Sequence, residues 1–133
     1  MSQTDFQKNS KIFSLLFEGV SEGIIVVDET QYIVEINSAT EDMFGYTKTE
    51  LIGQHLDLLI PKKYRANHHK HVDKFIDKSE KRQMGHGRNL HGLKKNGEIF
   101  PVEAGLNPFI YDGKRYVMSL VSDITERQTQ KHE

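Results

Sequence analysis

The residue of this sequence best placed to do chemistry is a histidine in the middle of a predicted helix. Pro61 fits the first turn of a helix that runs to about Asp77, because the missing amide hydrogen of proline costs nothing there. His68 recurs with Tyr64 and Phe75 at helical spacing, which places its imidazole on the apolar side of this helix. A neutral imidazole on a buried face is either a core histidine with one hydrogen-bonded nitrogen or a ligand for iron. Both interpretations of His68 stay open on the residues alone.

The other histidines are weaker candidates for a metal site. His71 lies three residues after His68, and such a pair could hold one metal ion. Structural zinc usually has four ligands, and no Asp, Glu or Cys obviously completes this set, so zinc is the weaker interpretation. The remaining histidines are expected to be solvent-facing or loop residues: His69, His86, His91 and His132.

The sequence contains no recognisable catalytic pattern. It has no cysteine, which excludes disulfides and thiolate chemistry. It also has no glycine-rich phosphate loop, no Gly-x-Ser-x-Gly sequence and no His-Glu-x-x-His sequence. We therefore expect a module that is not itself an enzyme, with any catalytic output domain absent from this chain.

Two turn signals and an exit sequence predict a sheet that leads into a C-terminal linker. A two-residue turn at Asn96-Gly97 precedes an alternating strand at 98–104, and a turn at Asp112-Gly113 precedes a second strand at 115–122. The carboxylate of Asp123 is placed to accept hydrogen bonds from a helix that begins at Ile124. The sequence therefore predicts that the last strand passes directly into a helical linker.

The N-terminal half is predicted to contain an amphipathic helix, a hairpin and several short helical segments. The helix covers residues 5–18, and its apolar side, which includes Phe13 and Phe17, either caps the sheet or forms a dimer contact. Asn37 either caps the helix that follows it or reaches into the interior, and capping is favoured. The other predicted elements are strands 23–28 and 32–36, helices 38–44 and 48–52, and a turn at 56–59.

Length and charge indicate one soluble domain. A chain of 133 residues falls within the usual range of a single domain. Its 18 Lys and Arg residues nearly balance its 19 Asp and Glu residues, so no net field points to nucleic acid or an anionic membrane as a partner. No run of about eighteen apolar residues exists and the N-terminus is polar. We therefore expect no membrane span, no secretory signal and a cytoplasmic location.

The order and spacing of several motifs resemble the PAS family of sensor domains from about Phe17 to Arg127. These motifs are Gly23-Ile24-Ile25-Val26-Val27-Asp28, Ile33-Val34-Glu35-Ile36-Asn37, Phe44-Gly45-Tyr46, Glu50-Leu51-Ile52-Gly53, Asn96-Gly97 with Phe100-Pro101-Val102-Glu103, and Asp123-Ile124-Thr125-Glu126-Arg127. The resemblance implies the PAS fold, an α/β (α+β) architecture with a five-stranded antiparallel sheet, helices on one face and an N-terminal amphipathic helix. It also implies an N-terminal helix or cap at 1–18, a PAS domain at 19–127, and the start of a linker to an output domain at 128–133.

Within that family, the segment from Tyr64 to Pro101 resembles the haem-binding oxygen-sensor kinases of the FixL type. In that subgroup the histidine that matches His68 holds the iron of haem b. The cofactor site implied by the resemblance consists of His68, Tyr64, Lys74, Arg82, Arg88, Gln83, Ala104 and Leu106. Among these, the cations Lys74, Arg82 and Arg88 match positions near the haem propionates, and Ala104 and Leu106 match the distal sheet wall. Gln83 departs from the pattern, because an amide stands where an apolar contact is expected.

The resemblance implies a sensory module of a bacterial-type signal-transduction protein, such as a two-component histidine kinase. In this interpretation Asp123, Thr125 and Arg127 transmit the ligand state or dimerisation state to the output domain, and haem supplies gas sensing. We expect a homodimer that forms through the N-terminal helix, with no nucleic acid and no membrane bound to this segment. The alternative is a ligand-free PAS interaction domain whose core is packed shut and which acts by dimerisation.

Overall fold

The structure of the chain is a computed structural model, which describes residues 12, 14–65, the backbone of 82–84, and 90–126. Its centre is one antiparallel sheet in the order β2-β1-β6-β5-β3, with β4 also paired to β5. The strands are β1 (Gly23–Asp28), β2 (Ile33–Ile36), β3 (Arg82–Met84), β4 (His91–Leu93), β5 (Ile99–Tyr111) and β6 (Lys114–Asp123). Both β3 and β4 pair with β5, β3 with residues 104–106 and β4 with residues 99–101. The predicted five-stranded sheet is confirmed, with the fifth position shared by these two short strands.

The alternation of side chains along the long strands gives the sheet one buried face. Phe100, Val102, Ala104 and Leu106 of β5 are buried, and the residues between them are only partly buried. The same face continues across β6, which pairs with β5, and across β1, which pairs with β6. Its inward residues there are Val117, Ser119, Val121, Ile25 and Val27. Side chains of one face recur every second residue in a strand, so this pattern fixes the register of the sheet.

The two turns of the C-terminal half depend on residues that adopt positive φ angles. Asp112 and Gly113 have φ values of 52° and 75°, as in the two-residue type I′ turn that matches the twist of paired strands. At the other turn only Gly97 has a positive φ, of 93°, and its amide donates to the carbonyl of Lys94 at 2.9 Å. A turn is therefore present at Asn96-Gly97, but the prediction that it is a two-residue hairpin turn was wrong. A loop longer than two residues connects β4 to β5, since Asn96 has no positive φ and the Lys94 amide donates to the carbonyl of Glu98 at 2.9 Å.

Two short helices follow the first hairpin, α1 (Ser38–Phe44) and α2 (Lys48–Leu51). Gly45 ends α1 at φ 80°, a conformation that glycine adopts without steric cost. Thr47 and Glu50 form a reciprocal capping box at the start of α2. The predicted helices are confirmed, except that Ile52 caps α2 instead of belonging to it. Two 3-10 segments follow, Leu56–Leu59 and Lys62–Tyr64.

Asn37 joins the N-terminal helical residues, β1 and α1 from a position that is 1% exposed. Its Oδ1 accepts hydrogen bonds from the Ile24 amide at 2.8 Å, the Thr40 hydroxyl at 2.8 Å and the Thr40 amide at 3.2 Å. Its Nδ2 donates to the carbonyls of Phe17 and Glu22 at 3.1 and 3.0 Å. The predicted capping role of Asn37 is confirmed, and the same side chain also fastens the N-terminal segment to the sheet.

Two predicted helices lie partly outside the described residues. Residues 12 and 14–19 are helical, and Phe17 is buried whereas Ile12, Leu15 and Leu16 are exposed. Residues 5–11 of the same predicted helix lie outside the described part of the chain. Pro61 caps the 3-10 segment that follows it, and residues 66–77 of the helix predicted from Pro61 also lie outside that part. None of the described helices is long and apolar enough to cross a membrane.

Candidate functional site

A small cavity of about 60 Å³ lies against the buried face of the sheet. Apolar side chains from the sheet, α1 and the Leu56–Leu59 segment form most of its wall, among them Ile25, Phe44, Leu59, Val102, Ala104 and Leu106. Two lining residues carry polar side chains, Ser119 on the inner strand β6 and His91 on the short strand β4. An apolar wall with a few polar groups is the usual form of a small-molecule site.

The volume of the cavity limits what this form of the protein holds. Pockets for drug-sized ligands span about 300–1,000 Å³, and an apolar cavity of about 150 Å³ accommodates benzene. The cavity of this chain, at about 60 Å³, is smaller than either. The chemistry of the wall suits the apolar surface of a haem, and the space that the described residues leave in this cavity is smaller than a haem.

His91 carries an unsatisfied polar atom. Its ring stacks on the ring of Tyr64, with centroids 4.9 Å apart and planes 9° apart. Its Nδ1 is buried and has no hydrogen-bond partner among the described residues. The prediction that His91 is a solvent-facing or loop residue was wrong, because it belongs to β4, is half-buried and contributes to the cavity wall.

Gly92 explains why the wall is tightly packed beside His91. A Cβ atom at this position would lie 2.9 Å from a ring carbon of Phe44 and 2.9 Å from a ring carbon of Phe100. These two rings meet edge to face with centroids 5.3 Å apart. A glycine inside a strand often marks such a close approach, so Gly92 was a sequence signal that β4 packs against the core.

The structure describes the side chains of three of the predicted cofactor-site residues. Ala104 and Leu106 are buried neighbours on β5 and both line the cavity. Tyr64 is half-buried and contacts the cavity wall through its stack on His91. The structure therefore brings these three residues to one site, although it does not test whether they bind a cofactor.

The other predicted cofactor residues are described only in part or not at all. Arg82 and Gln83 belong to β3, where their backbones lie opposite Leu106 and Gly105 of β5. His68, Lys74 and Arg88 lie outside the described residues. Their assignment to iron and propionates remains a prediction.

The exit segment is attached to the sheet by its backbone. Asp123 ends β6, and its Oδ1 accepts from the Thr125 amide at 2.9 Å and the Thr125 hydroxyl at 2.5 Å. The amide of Ile124 donates to the carbonyl of Pro101 on β5 at 3.1 Å. The helical residues begin at Thr125, one residue later than the predicted start at Ile124. Arg127 lies outside the described residues.

Ionisable groups with shifted pKa values lie away from the cavity. Burial acts to raise the pKa of Asp28, but hydrogen bonds from the Thr30 hydroxyl and the Tyr32 and Thr30 amides outweigh it and lower the pKa. A hydrogen bond to Glu35 raises the pKa of Lys48. Another from Lys95 lowers the pKa of Glu50. None of these three ionisable groups lines the cavity.

A metal site is not assembled within the described part of the chain. No group of three or more His, Asp or Glu side chains there is arranged to hold a metal ion. The predicted pair of His68 and His71 falls outside that part, so it is untested.

The profile of the PAS domain family matches residues 21–126, which is most of the chain. Sensor protein FixL of Bradyrhizobium diazoefficiens is 28% identical over 109 residues, which are 82% of this chain and 22% of that protein. Oxygen sensor protein DosP of Escherichia coli is 29% identical over 122 residues, which are 92% of this chain and 15% of that protein. The chain thus spans less than a quarter of the length of these relatives.

Solved structures share the fold at lower identity. A crystal structure described as a PAS domain from a two-component sensor histidine kinase superposes with a TM-score of 0.76 at 18% identity, covering 90% of this chain and 99% of that one. The predicted fold is therefore confirmed by comparison with a solved structure as well as by the topology of the sheet.

Proposed function

Because the chain belongs to the PAS domain family, we propose that it is the sensory module of a bacterial-type signal-transduction protein. One observation carries this proposal: the same strand serves both the cavity and the exit. The inward residues Ala104 and Leu106 of β5 line the cavity. Near the start of the same strand, the carbonyl of Pro101 holds the amide of Ile124. A change at the cavity that shifts β5 would therefore move the attachment of the exit segment.

Such coupling has a thermodynamic requirement. A ligand shifts the exit segment only if it binds two arrangements of β5 with different affinities. In this proposal Asp123 and Thr125 keep the start of the linker rigid through their paired hydrogen bonds, so that movement of β5 is passed on and not absorbed. Arg127 would extend the same linker.

We propose a histidine kinase as the output of the complete signalling protein. The resemblance of the sequence to the FixL-type oxygen-sensor kinases supports an output of this kind. The matched part is only 22% of Sensor protein FixL, so the output chemistry belongs to sequence beyond the matched segment.

Haem is the ligand that we propose to test first. Similarity to an oxygen sensor protein supports it, as does the apolar wall that includes Ala104 and Leu106. His68 would hold the iron, Lys74, Arg82 and Arg88 would face the propionates, and Tyr64 and Gln83 would border the ring. When bound, haem supplies an iron atom that takes up diatomic gases. The cavity lined by the described residues has a volume of about 60 Å³, so a haem would need more space than these residues leave.

That small volume favours a second candidate function, a ligand-free PAS interaction domain with a closed core. Exposed apolar residues on the N-terminal helical segment support this candidate, because Leu15 and Leu16 are each 67% exposed. In this version the domain acts by forming a homodimer through that segment.

An absorption spectrum separates the two candidates. The purified chain is titrated with hemin, reduced with dithionite and exposed to carbon monoxide. The haem proposal predicts a sharp Soret band that shifts on reduction and on gas binding. His68→Ala should remove the gas-sensitive band, whereas the matched variant His69→Ala, one position along, should keep it.

Two results would contradict the haem proposal in different ways. A flat spectrum for the wild-type chain rejects haem and leaves a PAS domain whose ligand is colourless or absent. A His68→Ala spectrum identical to that of the wild type keeps haem but rejects His68 as the ligand.

A further inference from the structure

The ring of His55 caps the 3-10 segment Leu56–Leu59. Its Nδ1 accepts a hydrogen bond from the amide of Asp57 at 3.1 Å. A ring nitrogen accepts only when it carries no proton, so this bond assigns a neutral imidazole whose proton is on Nε2. In a protonated imidazole both ring nitrogens are donors, and the bond to the amide cannot form. The cap therefore exists in only one charge state of His55.

The segment that His55 caps forms part of the cavity wall. Leu56, Leu59 and the following Ile60 line the cavity. Within the segment, the amide of Leu58 donates to the carbonyl of His55 at 3.1 Å, and the amide of Ile60 donates to the carbonyl of Asp57 at 3.0 Å. A 3-10 segment of this length has few hydrogen bonds of its own, so the loss of its cap loosens the wall.

The turn between β1 and β2 holds the imidazole beside this segment. The ring of Tyr32 meets that of His55 edge to face, with centroids 5.1 Å apart and planes at 84°. The same two residues pair through their backbones as an isolated bridge. The amide of Leu56 donates to the carbonyl of Gln31 in this turn at 2.9 Å. We therefore expect a change in the charge of the ring to act on the cap before it moves the ring.

Three titratable groups of the described residues face the imidazole. Oδ2 of Asp57, on its own segment, lies 3.6 Å from Nδ1. The turn contributes the phenol of Tyr32 and the carboxylate of Asp28. Burial raises the pKa of the Asp28 carboxyl, whereas its hydrogen bonds and the nearby charge of His55 lower it. Both carboxylates attract an imidazolium, so a protonated ring would bind the carboxylate of Asp57 instead of its amide.

We propose that His55 is a proton-sensitive cap that sets how firmly the Leu56–Leu59 segment closes the cavity. The neutral ring holds the amide of Asp57 and fixes the wall, and the protonated ring releases this amide and loosens the wall. Histidine ordinarily changes charge between about pH 5 and 8. This inference rests on the proposed sensory function, to which it adds proton concentration as an input at the same cavity.

Nuclear magnetic resonance of the whole chain tests this inference, because one sample reports both the ring and the cap. Long-range proton–nitrogen spectra of His55 should show the Nε2–H tautomer at about pH 8 and the doubly protonated ring at about pH 5. As the ring becomes charged, the amide proton of Asp57 should move upfield, because it loses its acceptor. Amide protection factors of Leu58 and Ile60, corrected for the intrinsic effect of pH, should fall about fivefold, as expected for one lost cap.

Three variants separate the cap from other effects of pH. His55→Asn keeps an acceptor for the amide of Asp57 but does not titrate, so its protection factors should not change with pH. His55→Ala has no acceptor and should resemble the protonated wild type at both pH values. His91→Asn is the matched control, because it removes the histidine that lines the cavity itself. It should keep the pH dependence of the wild type.

Four results would overturn the cap. These are a neutral ring with its proton on Nδ1, a ring that stays neutral down to about pH 5, a charged ring with an unmoved Asp57 amide, and a pH dependence in His55→Asn equal to that of the wild type.

The amide of Ile124 separates this inference from the proposed function. Changes at Asp57 and Leu59 that do not reach Ile124 would support the cap and contradict the coupling of the cavity to the exit segment. Haem uptake by a chain whose Asp57 amide does not respond to protonation of His55 would support the proposed function and overturn the cap.

Discussion

The buried amide of Asn37 gives the sharpest test of how this fold is held together. In the variant Asn37→Ala, the Ile24 amide and the carbonyls of Phe17 and Glu22 lose the bonds that the side chain makes at 2.8, 3.1 and 3.0 Å. The Thr40 amide loses one partner but keeps the backbone carbonyl of residue 37 at 3.1 Å. The variant therefore removes a helix cap, takes the side-chain partner from the buried Ile24 amide, and removes one hydrogen bond from each of the two carbonyls.

The expected cost follows from these losses. Loss of a helix cap costs about 1 kcal/mol, and each buried group left without a partner costs about 1–3 kcal/mol. These terms are not additive for neighbouring groups, so we expect a fall of about 3 kcal/mol in the free energy of unfolding. For a chain of this length that fall lowers Tm by about 10 °C. Since domains are stable by about 5–15 kcal/mol, the variant still folds and the difference can be measured.

Urea denaturation followed by circular dichroism measures this change, with Asn96→Ala as the control. Asn96 also accepts a backbone amide through its side chain, from Glu98 at 2.9 Å, but at an exposed turn. It should cost less than about 1 kcal/mol, because water replaces the lost partner. The reasoning is refuted if the two variants lower the unfolding midpoint equally. Hydrogen exchange in the Asn37 variant should also rise at residues 14–19, because the Phe17 carbonyl loses its hydrogen bond to Asn37.

Three further predictions concern packing, pH and assembly. Gly92→Ala should lower the free energy of unfolding by about 1–3 kcal/mol in urea, because its Cβ would meet the Phe100 ring at 2.9 Å; an unchanged midpoint would show that the ring moves freely. The pKa of Asp28 is lowered in the folded state, so its stabilisation is present above about pH 4 and is lost as pH falls through the folded pKa. The unfolding midpoint of the wild type should therefore fall more steeply below pH 4 than that of Asp28→Asn, and parallel pH profiles would contradict this assignment. Leu15→Glu combined with Leu16→Glu should convert a dimer to a monomer in light scattering while Phe17 stays buried, and an unchanged mass would reject the N-terminal interface.

The local elements of this fold could be predicted because their signals lie close together in the sequence. Asn37 before α1 and Asp112-Gly113 between two strands each act on residues within one turn or hairpin. The number of residues in the turn at Asn96-Gly97 could not be predicted from such local signals. Two-residue and longer loops share this dipeptide, and the pairing of β4 with β5 decides between them.

The cavity was less predictable than the fold. Ala104 and Leu106 were identified through family resemblance, and strand alternation alone also places them on the buried face. His91 was missed because a polar residue in a short strand is usually solvated. Its ring stacks on the ring of Tyr64, which is far earlier in the sequence and comes into contact with His91 only in the folded chain. Non-local contacts of this kind leave no periodic signal in the sequence.

The arrangement of β5 explains why a cavity of this size can still matter for signalling. Its inward side chains contact the cavity, and its residue Pro101 lies between β4 and the exit segment. Tightly packed interiors transmit small displacements, because neighbouring side chains cannot absorb them without rearranging. Gly92 shows how little space remains, since a single added methyl group would touch two rings. In the proposed sensory function, a ligand that displaces β5 would therefore also move the carbonyl that holds the amide of Ile124.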